Sequence, residues 1–215
     1  MKKGLIITAP EYDDVTEYFA QFSKDILKEA EKEGIPIKHL SGKDATKESF
    51  EKAANSFPYK LVVLNGHGNA KEIFGNDQKA IVSEGINDNL LAERITYARA
   101  CEAGASLGKS IVSLNKDGCF IGYELPFQFY ANTTWTGNPL KDTTAKIFFD
   151  PSNIVPISLI NGKSASSAHE ASKKRILKNF YRVLRNRNAD TLAIAEALWN
   201  NYEGQVLLGN PEASL

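Results

Sequence analysis

The fold is decided by the stretch Leu61-Val62-Val63-Leu64-Asn65-Gly66-His67-Gly68. Its four apolar residues do not alternate with polar ones, which is typical of a strand that is buried on both faces of a parallel sheet. The strand runs directly into a histidine that lies between two glycines. The stretch therefore predicts a central strand with a polar side chain at its carboxyl end.

Strands and helices alternate along the rest of the chain. The other predicted strands are Gly4 to Ala9, Ile35 to Leu40, Ile95 to Ala100, Cys119 to Tyr123 and Ile154 to Ile160. The predicted helices are one that Asp13 or Asp14 caps and Gly34 ends, then Lys47 to Ser56, Ser106 to Leu114, Ser167 to Arg187 and Asp190 to Tyr202. Glu72 to Phe74 and Lys79 to Ser83 flank turn residues and predict a small hairpin. This order predicts an α/β three-layer sandwich with a mostly parallel sheet of about six strands.

Length and composition indicate a single soluble domain over residues 1–215. Lysine plus arginine and aspartate plus glutamate number 26 each, so no net field draws the chain to nucleic acid or to an anionic membrane. No apolar stretch is long enough to cross a bilayer. Two cysteines, Cys101 and Cys119, favour free thiols and the reducing cytoplasm.

A second strand ends in a cysteine. The stretch Ile95-Thr96-Tyr97-Ala98-Arg99-Ala100-Cys101 carries the thiol to the same carboxyl edge as His67 if the two strands are neighbours. Neighbouring strands lie about 4.8 Å apart, so the two loops can bring imidazole and thiol together. The pattern predicts a Cys/His pair in which His67 is the base and Cys101 the nucleophile.

Two further features of an acyl-transfer site are expected around this pair. A nearby imidazolium and the amino end of the following helix would lower the pKa of the Cys101 thiol. The glycines beside His67 leave backbone amides unobstructed, and the N–H groups of Gly68 and Cys101 are the predicted oxyanion hole.

These two strand ends resemble the caspase-like cysteine peptidases, a group that includes caspases, gingipains, separases and bacterial CHAT domains. Cys101-Glu102-Ala103-Gly104, the insert between histidine and cysteine, and Asn161-Gly162-Lys163-Ser164 before a helix look most like CHAT domains. The resemblance implies a caspase-like sandwich and a cysteine endopeptidase that cleaves protein substrates without metal or cofactor. It further implies a regulatory protein partner or activator, in a bacterial defence or cell-death system.

Other interpretations of the same residues stay open. A cysteine amidohydrolase or transferase would use His169 in place of His67, although Cys101 lacks the flanking glycines of a nucleophile elbow. A catalytically silent interaction module is the second alternative. Glu124 follows the strand predicted to lie beside that of Cys101, and its carboxylate is the candidate substrate-binding group, selecting a basic side chain before the scissile bond. The nearby aromatic residues allow an apolar preference instead.

Overall fold

Six strands form one central sheet in the computed structural model, which describes residues 1–115, 117–186 and 190–215. Eight strands occur among these residues: β1 (Lys2–Ala9), β2 (Ile37–Ser41), β3 (Tyr59–Asn65), β4 (Glu72–Phe74), β5 (Ala80–Ser83), β6 (Ile95–Arg99), β7 (Cys119–Tyr123) and β8 (Gln205–Gly209). The sheet order is β2-β1-β3-β6-β7-β8, and only β8 is antiparallel. β4 and β5 form the predicted hairpin beside it.

Helices cover both faces of this sheet. They are α1 (Asp14–Lys32), α2 (Lys47–Ser56), α3 (Leu107–Leu114), α4 (Thr143–Ile160), α5 (Ala165–Leu184) and α6 (Thr191–Gly204). α2, α3 and the hairpin pack on one face, and α1, α4 and α5 pack on the other. The predicted three-layer α/β/α sandwich is thus confirmed. Arg187, the predicted end of α5, lies outside the described residues.

Alternation along the central strands explains the two cores. Val62 and Leu64 face α2 and α3, while Leu61 and Val63 face α1 and α4. Successive strand residues point to opposite faces, so a strand that is apolar at every position must be covered twice. All four residues have no exposed surface, as the sequence predicted.

The predicted strand at Ile154 to Ile160 is wrong, because this segment is the end of α4. Two prolines, Pro151 and Pro156, lie inside that helix and argue against it on the sequence alone. Over Ile154 to Ile160 only Ser158 is polar, so this part of the helix shows no polar face that would mark a helical period. The sixth strand is instead β8, which follows α6 without a break and pairs with β7.

An aromatic cluster joins α1 to α4 below the carboxyl edge of the sheet. Phe149 is fully buried at its centre, stacked on Phe22 with ring centres 4.3 Å apart and meeting Phe129 at 4.9 Å. Aromatic pairs at such distances add to the hydrophobic stabilisation of burial. The cluster also includes Phe19 and Phe127, which line the cavity described below.

Replacing the central ring should therefore destabilise the whole sandwich. Phe149→Ala is expected to lower the free energy of unfolding by about 3–5 kcal/mol, since it leaves a cavity where Phe22 and Phe129 now pack. Phe149→Leu, the matched control, should cost roughly 1–1.5 kcal/mol because it keeps most of the volume. Urea denaturation measures both values. An alanine variant that loses under about 1 kcal/mol would contradict the central place of this ring.

Candidate active site

The register of the sheet brings His67 and Cys101 to the same edge. β3 and β6 are parallel neighbours, with Asn65 aligned to Arg99, and each candidate residue lies two positions further along its chain. The Gly66 amide still donates to the Arg99 carbonyl at 3.3 Å, so the pairing continues to the bases of both loops. Both side chains line one cavity of about 500 Å³. Its other walls are Val15 and Phe19 from α1, Gly66 directly after β3, and Phe127, Gln128, Phe129 and Tyr130 from the segment after β7.

Cys101 is held in its protonated form. Its Sγ lies 3.9 Å from the Phe127 carbonyl oxygen, to which the thiol donates. Burial raises the pKa of this thiol above its ordinary value, the hydrogen bond with the Phe127 backbone opposes the rise, and the Glu102 carboxylate adds to it. The expected lowering of the Cys101 pKa is therefore wrong for this state of the chain. The cause is local: α3 begins only at Leu107, so the thiol does not lie at the amino end of a helix.

His67 has a carboxylate partner that the sequence reasoning did not assign to the site. Nε2 of His67 lies 2.8 Å from Oδ2 of Asp13, and the ring centres of His67 and Tyr12 are 6.1 Å apart. A carboxylate only accepts hydrogen bonds, so Nε2 carries a proton, and in the neutral ring this tautomer makes Nδ1 the acceptor. β1 pairs with β3 in the sheet, so an acidic residue after β1 is brought to the edge where His67 lies. The pairing of β1 with β3 is therefore the feature that could have identified Asp13 as a residue of the site.

Asp13 also begins α1, as the sequence predicted. Its Oδ1 accepts from the Thr16 amide at 2.8 Å and from the Thr16 hydroxyl at 2.7 Å. Burial raises the pKa of the Asp13 carboxyl, but the hydrogen bonds from Thr16 and His67 outweigh it, so the net pKa is lowered. Asp13 is therefore a fixed anion that the cap of α1 holds against the imidazole.

The backbone around Gly68 supports the predicted oxyanion donors. Gly68 faces Ile73 across an antiparallel bridge whose hydrogen bonds are made by neighbouring residues, so its own amide points away from the hairpin. A Cβ on Gly68 would lie 3.0 Å from the Cys101 carbonyl oxygen, which shows how closely the two backbones approach. Among the described residues, neither the Gly68 amide nor the Cys101 amide donates a hydrogen bond.

A tight turn follows the cysteine. Glu102 has a φ of 56°, in the left-handed region that non-glycine residues avoid. Its carbonyl accepts from the Ala105 amide at 2.8 Å, and the Gly104 amide donates to the Tyr123 carbonyl at 2.8 Å. Such backbone strain is concentrated at functional sites. The turn ends β6 abruptly and leaves the thiol at the cavity wall.

Arg99 lies below Cys101 on the same face of β6. It is fully buried, and Nε donates to Ser152 Oγ at 2.8 Å while Nη2 donates to Asn153 Oδ1. The guanidinium also lies 5.2 Å from the ring centre of Phe149 and 5.9 Å from that of Phe19. No acidic side chain forms a salt bridge with it in the described part of the chain. Neutral oxygens and aromatic faces therefore solvate this cation, which ties α4 and α1 to the strand of the thiol.

Two predicted candidates lie away from the cavity. Glu124 is exposed, and its amide donates to the Gly204 carbonyl at 2.8 Å at the end of α6. His169 lies on α5, where Nε2 is 3.1 Å from the Gln205 carbonyl oxygen, and burial lowers its pKa. Neither residue lines the cavity that His67 and Cys101 share. Cys119 is fully buried in the sheet, and burial raises its pKa to about 12.

Two broader observations complete the description of the site. In residues 1–115, 117–186 and 190–215, no three histidine, cysteine or acidic side chains come together as metal ligands. No helix within the same ranges combines the length and apolar character needed to span a membrane.

Comparison with known proteins gives no relative: no protein-family profile matches the chain, and no curated protein matches it.

The raised pKa of Cys101 predicts slow alkylation. At pH 7, iodoacetamide should modify Cys101 more slowly than it modifies an unstructured cysteine peptide, and the rate should climb at a pH above the ordinary thiol value of about 8.5. The sign follows from the raised pKa, which lowers the thiolate fraction at neutral pH. A Cys119→Ala background makes the mass-spectrometric measurement specific. A midpoint below that of the peptide would contradict the protonated resting thiol.

The lowered pKa of Asp13 predicts a pH-dependent contribution to stability. Asp13→Ala should lower the free energy of unfolding by about 0.5–2 kcal/mol at pH 7, because α1 loses its cap. Asp13→Asn keeps the capping oxygen and removes only the charge. Since the folded-state pKa lies below the unfolded one, the advantage of the wild-type protein over Asp13→Asn should be present above about pH 4 and vanish as the pH falls further. A difference that stays constant from pH 7 to pH 3 would rule out this coupling.

Proposed function

We propose that this chain is a cysteine endopeptidase of the caspase-like kind, with Cys101 as nucleophile and His67 as base. The observation that carries the proposal is the shared cavity at the ends of two adjacent parallel strands, which His67 and Cys101 both line. Ligands of open parallel sheets bind at this edge. The resemblance of the two strand ends to caspase-like peptidases points to the same pair.

The chemistry balances with the groups present. Nδ1 of His67 accepts the thiol proton, and Sγ of Cys101 attacks the carbonyl carbon of the scissile peptide bond. The amides of Gly68 and Cys101 donate to the oxygen that becomes negative. When the C–N bond breaks, His67 returns the proton to the leaving amine, and a thioester remains on Cys101. Water then attacks the thioester, His67 takes a proton from it, and the thiol is restored as the new carboxylic acid leaves.

Asp13 has a positioning role in this scheme. Its hydrogen bond to Nε2 selects the tautomer that leaves Nδ1 as the acceptor, and it stabilises the imidazolium that forms during the reaction. The role matches that of the third member of other nucleophile and base arrangements. The proposed unit is therefore Cys101, His67 and Asp13.

The residues that line the cavity indicate which substrate side chains would fit it. Four of its nine lining residues, Phe19, Phe127, Phe129 and Tyr130, carry large aromatic rings, and Val15 adds an aliphatic group. Apolar walls gain most from an apolar side chain. Glu124 lies outside this lining, so the position of its carboxylate does not favour a basic side chain before the scissile bond. A peptide with a large apolar side chain at that position is the proposed substrate class.

The protonated thiol favours a latent enzyme. Cys101 donates to the Phe127 carbonyl, and His67 is held by Asp13. Turnover requires the segment around Phe127 to move so that the thiol can approach the imidazole. Control by a protein partner, as the resemblance implies, agrees with this arrangement. A catalytically silent module would keep the same resting contacts, and activity measurements separate the two.

The proposal is tested by paired substitutions. Cys101→Ala and His67→Ala are expected to abolish the cleavage of a proteome-derived peptide library read by mass spectrometry, because each removes a reacting group. Asp13→Asn should retain a low activity, roughly a hundredfold below that of the parent, because a misoriented His67 slows the reaction. Cys119→Ala and His169→Ala are the matched controls and should cleave at the parental rate.

Three outcomes would count against this assignment. Cleavage that survives His67→Ala at the parental rate would remove the base. Loss of cleavage in His169→Ala would favour the amidohydrolase arrangement, and a parent protein that cleaves nothing in the library would favour the silent module.

A further inference from the structure

The helices α5 and α6 leave an apolar groove uncovered. The groove has a volume of about 440 Å³, and its apolar walls are Phe180 and Leu184 from α5, Leu192 and Trp199 from α6, and Leu125 from the segment after β7. Leu192 is 66% exposed and Trp199 is 45% exposed. Exposed apolar side chains that are grouped in this way mark interaction surfaces. These residues are called the α5–α6 groove below.

The charges of the α5–α6 groove are of one sign. Glu196 and Glu203 belong to its lining, which contains no cation. Within the described ranges, neither carboxylate forms a salt bridge. Lys173 lies nearby over the ring of Tyr202, where burial lowers its pKa and the Glu203 and Glu124 carboxylates oppose that effect. An occupant that combines apolar side chains with lysine or arginine therefore complements this surface.

The groove is connected to the thiol through one short segment, residues 124–128. Asn200 Nδ2 donates to the Pro126 carbonyl at 2.6 Å, and the Asn201 side chain binds the Gln128 amide and carbonyl at 2.8 and 2.6 Å. α6 thus holds the segment whose Phe127 carbonyl accepts from Cys101. Residues 124–128 are called the thiol loop below.

Leu125 belongs to the thiol loop and also lines the α5–α6 groove. Its side chain is a wall of the α5–α6 groove and packs on Gly204, where a Cβ would lie 2.8 Å from the Leu125 Cβ. Its carbonyl accepts from the amide of Glu102 at 3.3 Å, immediately after the cysteine. An occupant that contacts Leu125 therefore acts directly on the backbone beside Cys101.

We propose that the α5–α6 groove is the docking site for a basic amphipathic helix of a partner protein, and that docking draws the thiol loop away from Cys101. A groove between two helices accepts the side-chain ridge of a third helix. The lining from Leu192 to Glu203 extends about 17 Å along α6, which matches roughly three turns of the partner. The inference rests on the proposed function in one respect only, namely that the released thiol serves as a catalytic nucleophile.

Two other occupants fit the charges less well. In a second copy of this chain, the basic helix α5 already buries Ile176 and Val183 in its own core and contributes Phe180 and Leu184 to its own groove. An anionic membrane surface would be repelled by Glu196 and Glu203, since like charges oppose association. A partner helix meets the apolar walls and the carboxylates at once.

Docking is expected to change the exposure and ionisation of the Cys101 thiol because the occupant favours one of two positions of the thiol loop. A ligand shifts such an equilibrium only if it binds one position better. Because Leu125 contributes to the groove, an occupant that buries Leu125 in a displaced position stabilises the displaced thiol loop. The thiol then loses its hydrogen bond to the Phe127 carbonyl and part of its burial, so Sγ becomes accessible to reagents, and the loss of burial favours the thiolate.

The test uses a synthetic helical peptide as the probe and the full chain in a Cys119→Ala background. The peptide has 14 residues, with leucines at helical spacing flanked by lysines, and its matched control carries glutamates in place of the lysines. Fluorescence anisotropy of the labelled peptide measures binding. The rate of Cys101 alkylation by iodoacetamide measures the state of the thiol.

The lysine peptide should bind at a single saturable site, and the glutamate peptide should bind about tenfold more weakly or worse. Trp199→Ser and the pair Glu196→Gln with Glu203→Gln should each weaken binding by about tenfold. Tyr181→Ser is the control for Trp199→Ser, because Tyr181 is an exposed aromatic residue outside the groove. At pH 7, saturating peptide should raise the alkylation rate about tenfold, because the displaced thiol loop no longer covers Sγ of Cys101.

Several results would overturn the inference. Equal binding of both peptides would show that the carboxylates do not select the partner, and binding to phosphatidylserine vesicles instead of the peptide would point to a membrane. A concentration-dependent dimer in sedimentation that Trp199→Ser abolishes would assign the groove to a second copy. Peptide binding without a change in alkylation would remove the link to the thiol.

Neither readout needs peptide hydrolysis, so failure of the docking site and failure of the proposed peptidase are separate results. A chain that binds the lysine peptide and exposes its thiol, yet cleaves no substrate, would keep the docking site and lose the peptidase. A chain that cleaves peptides through Cys101 but ignores the lysine peptide would do the reverse.

Discussion

The parallel pairing of β3 with β6 at the centre of the sheet is the constraint on which the rest of the structure depends. Parallel neighbours end at the same edge, and the alignment of Asn65 with Arg99 brings the loops of His67 and Cys101 out side by side. A shift by one residue would turn every strand side chain to the other face. Full coverage by helices on both faces prevents that shift, since it would leave apolar residues without their partners in either core. The hydrogen bonds between Asn65 and Thr8 join β1 to the same edge and so place Asp13 beside His67.

The candidate site contains contacts that favour the proposed reaction and contacts that oppose it. The His67 imidazole is oriented by the Asp13 carboxylate, and the amides of Gly68 and Cys101 have no hydrogen-bond partner among the described residues. The Cys101 thiol, in contrast, is half-buried, and burial raises its pKa. Low polarity disfavours the thiolate until a charge partner reaches it. The thiol donates to the Phe127 carbonyl, and α6 holds the segment that makes this contact.

The error at Ile154 to Ile160 illustrates how burial removes the signal on which helix prediction depends. A half-exposed helix such as α1 alternates polar and apolar faces, and the sequence predicted a cap at Asp13 or Asp14, of which the structure shows Asp13. α4 packs against α1, α5 and the sheet together, so its residues are apolar on nearly all sides. A run of apolar residues with β-branched members is then indistinguishable from a buried strand. Strand β8 was not predicted for a different reason. Its five residues directly follow a helix, and their pattern is too short to indicate a strand.

The sequence by itself determined the layer architecture, the central strands, the hairpin, the cap of α1 and the placement of His67 and Cys101 at strand ends, because hydrophobic periodicity and turn residues are local properties. Only the tertiary structure decided that Asp13 reaches His67, that Glu124 and His169 lie outside the cavity, and that the Cys101 pKa is raised rather than lowered. These facts depend on which distant segments come together: 54 positions separate Asp13 from His67, and 26 separate Cys101 from Phe127. Desolvation and charge act through space, so a pKa is a property of the packed neighbours and not of the adjacent residues in the chain.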